Sequence, residues 1–172
     1  MKFGVVVFPG SNCDRDMVEA LRHDLGQETI ELWHKDHDLS MFDKDDCIVL
    51  PGGFSYGDDT GSGRAYANKL NNHLSDALKK FAQADKLILG ICNGFQILTQ
   101  VGLLPGALIH NKNPRYLDRW VDIRMSRVTL DRNPWLKGLQ TLSLPIAHGE
   151  GNFYASKKDL AIIKKQQQIA GI

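Results

Sequence analysis

Three short apolar runs, each ending in a glycine-marked turn, limit this chain more than any other feature. Residues 3–8 (FGVVVF) run into PGSNCD, Cys47–Leu50 (CIVL) runs into PGGFSYGDD, and residues 86–90 (KLILG) run into ICNG. A continuous β-branched run, unlike an alternating one, marks a strand buried on both faces. Helical spacing fills the intervals. Met17, Val18, Leu21 and Leu25 fall on one face of a helix over residues 14–25, with Gly26 as its stop. Leu70, Leu74, Leu78 and Phe81 do the same over 68–84, and a further helix is expected over 95–101, ending near Gly102. Residues 29–33 supply another strand. Strand and helix alternating at this spacing give an α/β fold, an open and mostly parallel sheet with helices on both faces. Ligands bind such sheets outside the carboxyl ends of the strands. The three glycine turns therefore converge on the expected site.

The texture changes after Leu104. Residues 120–128 and 141–147 alternate weakly and suit strands of a mixed or antiparallel extension. No repeat or low-complexity linker divides the 172 residues, and 42% hydrophobic content suits a single domain with a core of its own. The formal net charge is +1, without a long run of either sign, so neither nucleic acid nor a membrane surface is an expected partner. No stretch approaches the ~18 apolar residues of a membrane span. Pro9-Gly10 ends the first apolar run too early for a signal peptide. The three cysteines, Cys13, Cys47 and Cys92, are widely spaced and form no CxxC pair, so no metal site is expected and a reduced, cytoplasmic protein is.

Gly90-Ile91-Cys92-Asn93-Gly94 has the form of a nucleophile elbow, with cysteine where serine is more familiar. The sharp turn aims the sulfur away from the sheet, and the N-terminus of the next helix favours negative charge there. The amide of Asn93 falls where an oxyanion forms. The blander alternative is a structural cysteine in a tight turn. Gly52 and Gly53 allow backbone N–H groups to approach a ligand and complete an oxyanion hole, or simply make an ordinary loop. In AHGEGNF, His148 is a candidate base with Glu150 to orient it, unless the glycines make this a ligand-binding turn and His148 is merely exposed. Ser11, Asn12 and Asp14 are N-cap types for the first helix, Cys13 has no base nearby in sequence, and Cys47 suits a buried strand.

PGSNCD, PGGFSYGD, GICNGFQIL, GLLPGAL and PIAHGEGNFY occur in this order along nearly the whole chain. Together they closely resemble the glutaminase subunit of phosphoribosylformylglycinamidine synthase, a class I (triad) glutamine amidotransferase of purine biosynthesis. The resemblance implies a flavodoxin-like class I fold in one amidotransferase domain over residues 1–172. It implies that Cys92 attacks the side-chain amide of glutamine, releasing ammonia and leaving a glutamyl thioester for water to cleave. Backbone amides at Gly52, Gly53 and Asn93 would hold the oxyanion, Gln96 would help seat the substrate, and Ala147, His148, Gly149 and Glu150 would grip its amino-acid end. Partners implied are glutamine, a large synthetase subunit and a small bridging subunit. No cofactor is expected in this chain; ATP and magnesium belong to the synthetase.

Two departures accompany the resemblance. The family's base is a histidine two residues before a glutamate in a late His-Pro-Glu segment, whereas no histidine follows Tyr154 here. The extension is therefore expected to be truncated relative to the family, with turnover impaired for want of the base. Residues 58–70 (DDTGSGRAYANKL) also differ from small stand-alone glutaminases, and their glycines suggest the fused large-enzyme form. The alternatives are a catalytically silent amidotransferase-like binding module or scaffold, and a different elbow-cysteine enzyme of similar fold.

Overall fold

A computed structural model describes residues 1–9, 11–36, 38–53, 74–126 and 135–172. They form two compact units, Met1–Leu104 and Pro105–Ile172. The boundary falls where the sequence changes texture.

The first unit is built on four parallel strands in the order β2-β1-β3-β4, with β1 Lys2–Val7, β2 Glu28–Trp33, β3 Cys47–Leu50 and β4 Leu87–Gly90. Alternate side chains of the inner strands enter two separate cores. Phe3 and Val5 of β1 and Cys47 and Val49 of β3 pack with Val18 and Leu21 on one face. Val6, Phe8, Ile48 and Leu50 pack on the other, among Phe42, Leu74, Leu78, Phe81, Ile97 and Leu98. This two-sided burial explains why β3 is continuously apolar and fully buried. Removing each such side chain from water contributes roughly 1.5–3 kcal/mol.

Helix α1, Asp14–Glu19, continues as a π-helical turn over Ala20–Asp24, where Leu25 N–H donates to the carbonyl of Ala20 (3.0 Å). Gly26 then ends it at φ +61°. The expected capping by Ser11, Asn12 or Asp14 does not occur: Cys13 holds the N-cap position, with no side-chain cap bond. Helix α2, Leu74–Gln83, buries Leu74, Leu78 and Phe81, as the spacing predicts. The rest of the expected helix, 68–73, lies outside the described residues. Helix α3, Asn93–Gln100, stops at Gly102 (φ +76°), where the Leu103 and Gly102 N–H groups return to the carbonyls of Leu98 and Thr99.

Among the described residues, the second unit contains two antiparallel pairs. β5 Ala107–Ile109 pairs with β8 Asn152–Tyr154, and β6 Leu117–Arg124 with β7 Thr141–His148. The expected strand over 120–128 begins three residues earlier, and its last two positions lie outside the described residues. Helix α4, Lys157–Lys165, begins at Ser156, whose Oγ accepts from the Asp159 N–H (3.1 Å). The closing residues pair with the end of β6: Arg124 and Ile172 exchange backbone bonds of 2.9 and 3.0 Å. Among the described residues, no helix is long and apolar enough to cross a membrane.

Candidate active site

The three glycine turns of the first unit meet at the carboxyl end of its sheet. Cys92 stands between β4 and α3 with φ +53° and ψ −109°. A side-chain-bearing residue held there stores about 1–3 kcal/mol of backbone strain, which the surroundings must outweigh. They do so by close packing. A Cβ on Gly94 would fall on the carbonyl of Leu50, and one on Gly90 would meet Leu98 Cδ1 at 2.6 Å. The elbow glycines thus let α3 press against the end of β3, while the strained backbone belongs to the cysteine itself. Ile91 N–H donates to Leu50 (3.0 Å), Gly94 N–H to Ile91 (2.8 Å) and Gln96 N–H to Cys92 (3.2 Å), pinning both sides of the turn. Cys92 is exposed. Asn93 is buried at the start of α3, and Gln96 lies half-buried one turn on.

Gly52 and Gly53 follow β3 directly. A Cβ on Gly52 would lie 3.3 Å from Cys92 Cβ and 4.0 Å from Cys13 Sγ. Gly53 adopts φ +105°, and a Cβ there would strike the Asn12 side-chain oxygen. The backbone after β3 is therefore sandwiched between the elbow and PGSNCD. Residues 54–59 of PGGFSYGDD, and the 58–70 departure, lie outside the described residues.

Cys13, set aside because no base lies near it in sequence, is a neighbour of the candidate nucleophile. Burial, followed by the negative potentials of Asp16, Cys92 and Asp14, pushes its thiol up. It is thereby kept protonated beside Cys92 at neutral pH. Cys47 is fully buried, and burial pushes it up to about 12 against a lowering backbone bond from Leu89.

The second unit carries the other predicted cluster. Ala147 and His148 end β7, and Gly149 and Glu150 form the turn before β8. The expected His148–Glu150 couple is not formed. Glu150 Oε1 lies 3.4 Å from His110 Nε2, and His148 Nδ1 lies 3.0 Å from Asn111 Oδ1. The reason is geometric: His148 turns back over Gly151, where a Cβ would strike its ring. Asn111, 9% exposed, was not singled out by the sequence; it lies 37 residues from His148 in an unremarkable polar loop. No three His, Cys, Asp or Glu residues cluster as metal ligands among the described residues.

The chain matches the model of the CobB/CobQ-like glutamine amidotransferase domain over residues 1–171. It is 39% identical to a chain in the structure of PurLQS from Thermotoga maritima, covering 91% of this chain and 70% of that one, with a TM-score of 0.73. A glutamine amidotransferase from Thermotoga maritima shares the fold at 15% identity (TM-score 0.60), covering 91% of this chain and 64% of that one. A mostly parallel sheet with helices packed on both its faces fits these relatives, and the chain belongs to the CobB/CobQ-like glutamine amidotransferase family.

Proposed function

We propose that this chain is the ammonia-producing component of a purine-biosynthetic synthetase that converts formylglycinamide ribonucleotide to its amidine. The observation that carries the chemistry is Cys92, exposed on a strained turn at the N-terminus of α3 and packed against Gly52. The identity to PurLQS supports the pathway.

In this reading, Cys92 Sγ attacks the side-chain amide carbon of glutamine. The carbonyl oxygen takes up negative charge and is held by backbone N–H groups at Gly53 and Asn93. The C–N bond breaks, the nitrogen takes up the proton that the Cys92 thiol gives up, and ammonia leaves. Water then cleaves the thioester, giving glutamate and restoring the thiol. Gln96 helps seat the substrate, and the segment Ala147, His148, Gly149, Glu150 grips its α-amino and α-carboxyl end. The synthetase partner, with its own ATP and magnesium, consumes the ammonia, and a small bridging subunit completes the assembly in the cytoplasm.

The test is amidine formation by the assembled enzyme with either nitrogen source. Cys92→Ala is expected to lower the glutamine-dependent rate by at least about 10³-fold while leaving the ammonia-dependent rate intact. Equal loss of both rates would contradict the assignment. A second reading, glutamine binding without turnover, draws on the absence of a His148–Glu150 couple. In that case the chain binds glutamine and releases no glutamate.

A further inference from the structure

The four polar positions of the Asn111 side chain are all occupied, and every partner dictates its role. Nδ2 faces the backbone carbonyls of Arg115 (2.9 Å) and His148 (3.0 Å), which only accept. Oδ1 faces the backbone N–H of Gly151 (3.1 Å), which only donates. The amide therefore has one orientation. Its oxygen also faces His148 Nδ1 at 3.0 Å, so that nitrogen must carry the proton. The backbone N–H of Asn111 adds a bond to the Gly149 carbonyl (3.0 Å). One nearly buried residue thus binds three of the four residues 148–151 and fixes the protonation of the histidine among them.

We infer that Asn111 is the positioning residue of this turn and locks neutral His148 as the Nδ1–H tautomer, so that Nε2 offers the ligand a lone pair. A neutral ring held this way accepts a hydrogen bond at Nε2 and donates none there. The group it suits on an amino-acid substrate is a donor, the α-ammonium, rather than the α-carboxylate. The choice of ligand group rests on the glutamine reading above; the tautomer does not. Asn111 acts through the turn and has no part in bond breaking.

Nitrogen-15 NMR of the histidine rings in the full-length protein tests the lock without any variant. The expected signature for neutral His148 is a protonated Nδ1 and an unprotonated Nε2. In Asn111→Ala the proton is expected to move to Nε2. In Asn111→Asp, which keeps an acceptor facing Nδ1, it is expected to stay. The Ala variant should raise KM for glutamine about tenfold, the scale of one lost hydrogen bond to a charged group, with kcat within a few-fold. Predominant Nε2–H in the wild-type protein would overturn the lock whatever its activity. The predicted tautomer with unchanged KM in a folded Ala variant would overturn the positioning role. Absence of any glutamine turnover in the wild-type complex would count against the glutaminase reading alone and leave the tautomer result standing.

Discussion

The two units hold their candidate functional turns by opposite means. Among the described residues, all of the buried apolar core except Met125 and Ile163 lies in Met1–Leu104. The elbow there is wedged between a strand end and a helix with no room for one extra carbon. In Pro105–Ile172 the strands carry many exposed side chains, and Trp120 is 70% exposed. There the 148–151 turn hangs on the hydrogen bonds of one asparagine. The difference teaches what each turn requires. A nucleophile held in a strained backbone needs a stiff apolar frame, because relaxation would release the strain. A turn that presents hydrogen-bonding groups to a ligand needs its own polar atoms assigned, which packing alone cannot do.

The largest effect that separates the units is expected at their glycines. Gly94→Val drives a branched side chain into the Leu50 backbone. It should cost about 3 kcal/mol or more and abolish cooperative unfolding in denaturant. Gly149→Ala meets only Tyr116 Cδ2 at 4.0 Å and should stay within about 0.5 kcal/mol. A tolerated Gly94→Val would remove the packing argument for the elbow. Next come the apolar side chains. Leu78→Ala empties a fully buried position and should cost about 2–5 kcal/mol, whereas Trp120→Ala should cost less than about 0.5 kcal/mol. Calorimetry that reversed this order would place the stabilising core in the second unit.

A smaller effect concerns the first unit's main polar exception. Asp46 is nearly buried, which pushes its carboxyl up. The backbone N–H groups of Lys2 (2.7 Å) and Asp43 (2.8 Å), helped by the Lys2 and N-terminal charges, outweigh burial and hold it below the usual carboxylate range. A depressed folded value gives stability that is full above the unfolded value, near ~3.9, and is lost as pH falls through the folded one. Asp46→Ala should therefore cost about 1–3 kcal/mol at pH 7, with a gap from wild type that narrows only in acid below about pH 4. A gap independent of pH would show that the carboxylate charge is not the cause. The smallest perturbation is chemical. A small alkylating agent at neutral pH should modify exposed Cys92 first, half-buried Cys13 more slowly and Cys47 only on unfolding. Peptide mapping over time checks the order.

Much of the first unit was legible because its signals are local. β-branched runs gave the strands, with Cys47–Leu50 correct to the residue, and glycines gave the stops of α1 and α3. Even the meeting of three loops followed from parallel-sheet topology. Legibility ended where a residue's role depends on a distant partner. PGSNCD looks like a helix cap, yet Asn12 lies against Gly53 and Cys13 beside Gly52, contacts set by the sheet. His148 and Glu150 look paired because they are two apart, but successive residues of a turn point different ways, and each finds its partner elsewhere. β5 and β8 are three residues each, too short for any periodicity to register.

The most direct test of Cys92 as the glutamine-attacking thiol is covalent labelling with an electrophilic glutamine analogue, read by intact mass and peptide mapping. The predicted result is one adduct, on Cys92, whose formation is suppressed by glutamine. Labelling of Cys13 instead, or labelling of Cys92 that glutamine does not slow, would contradict it.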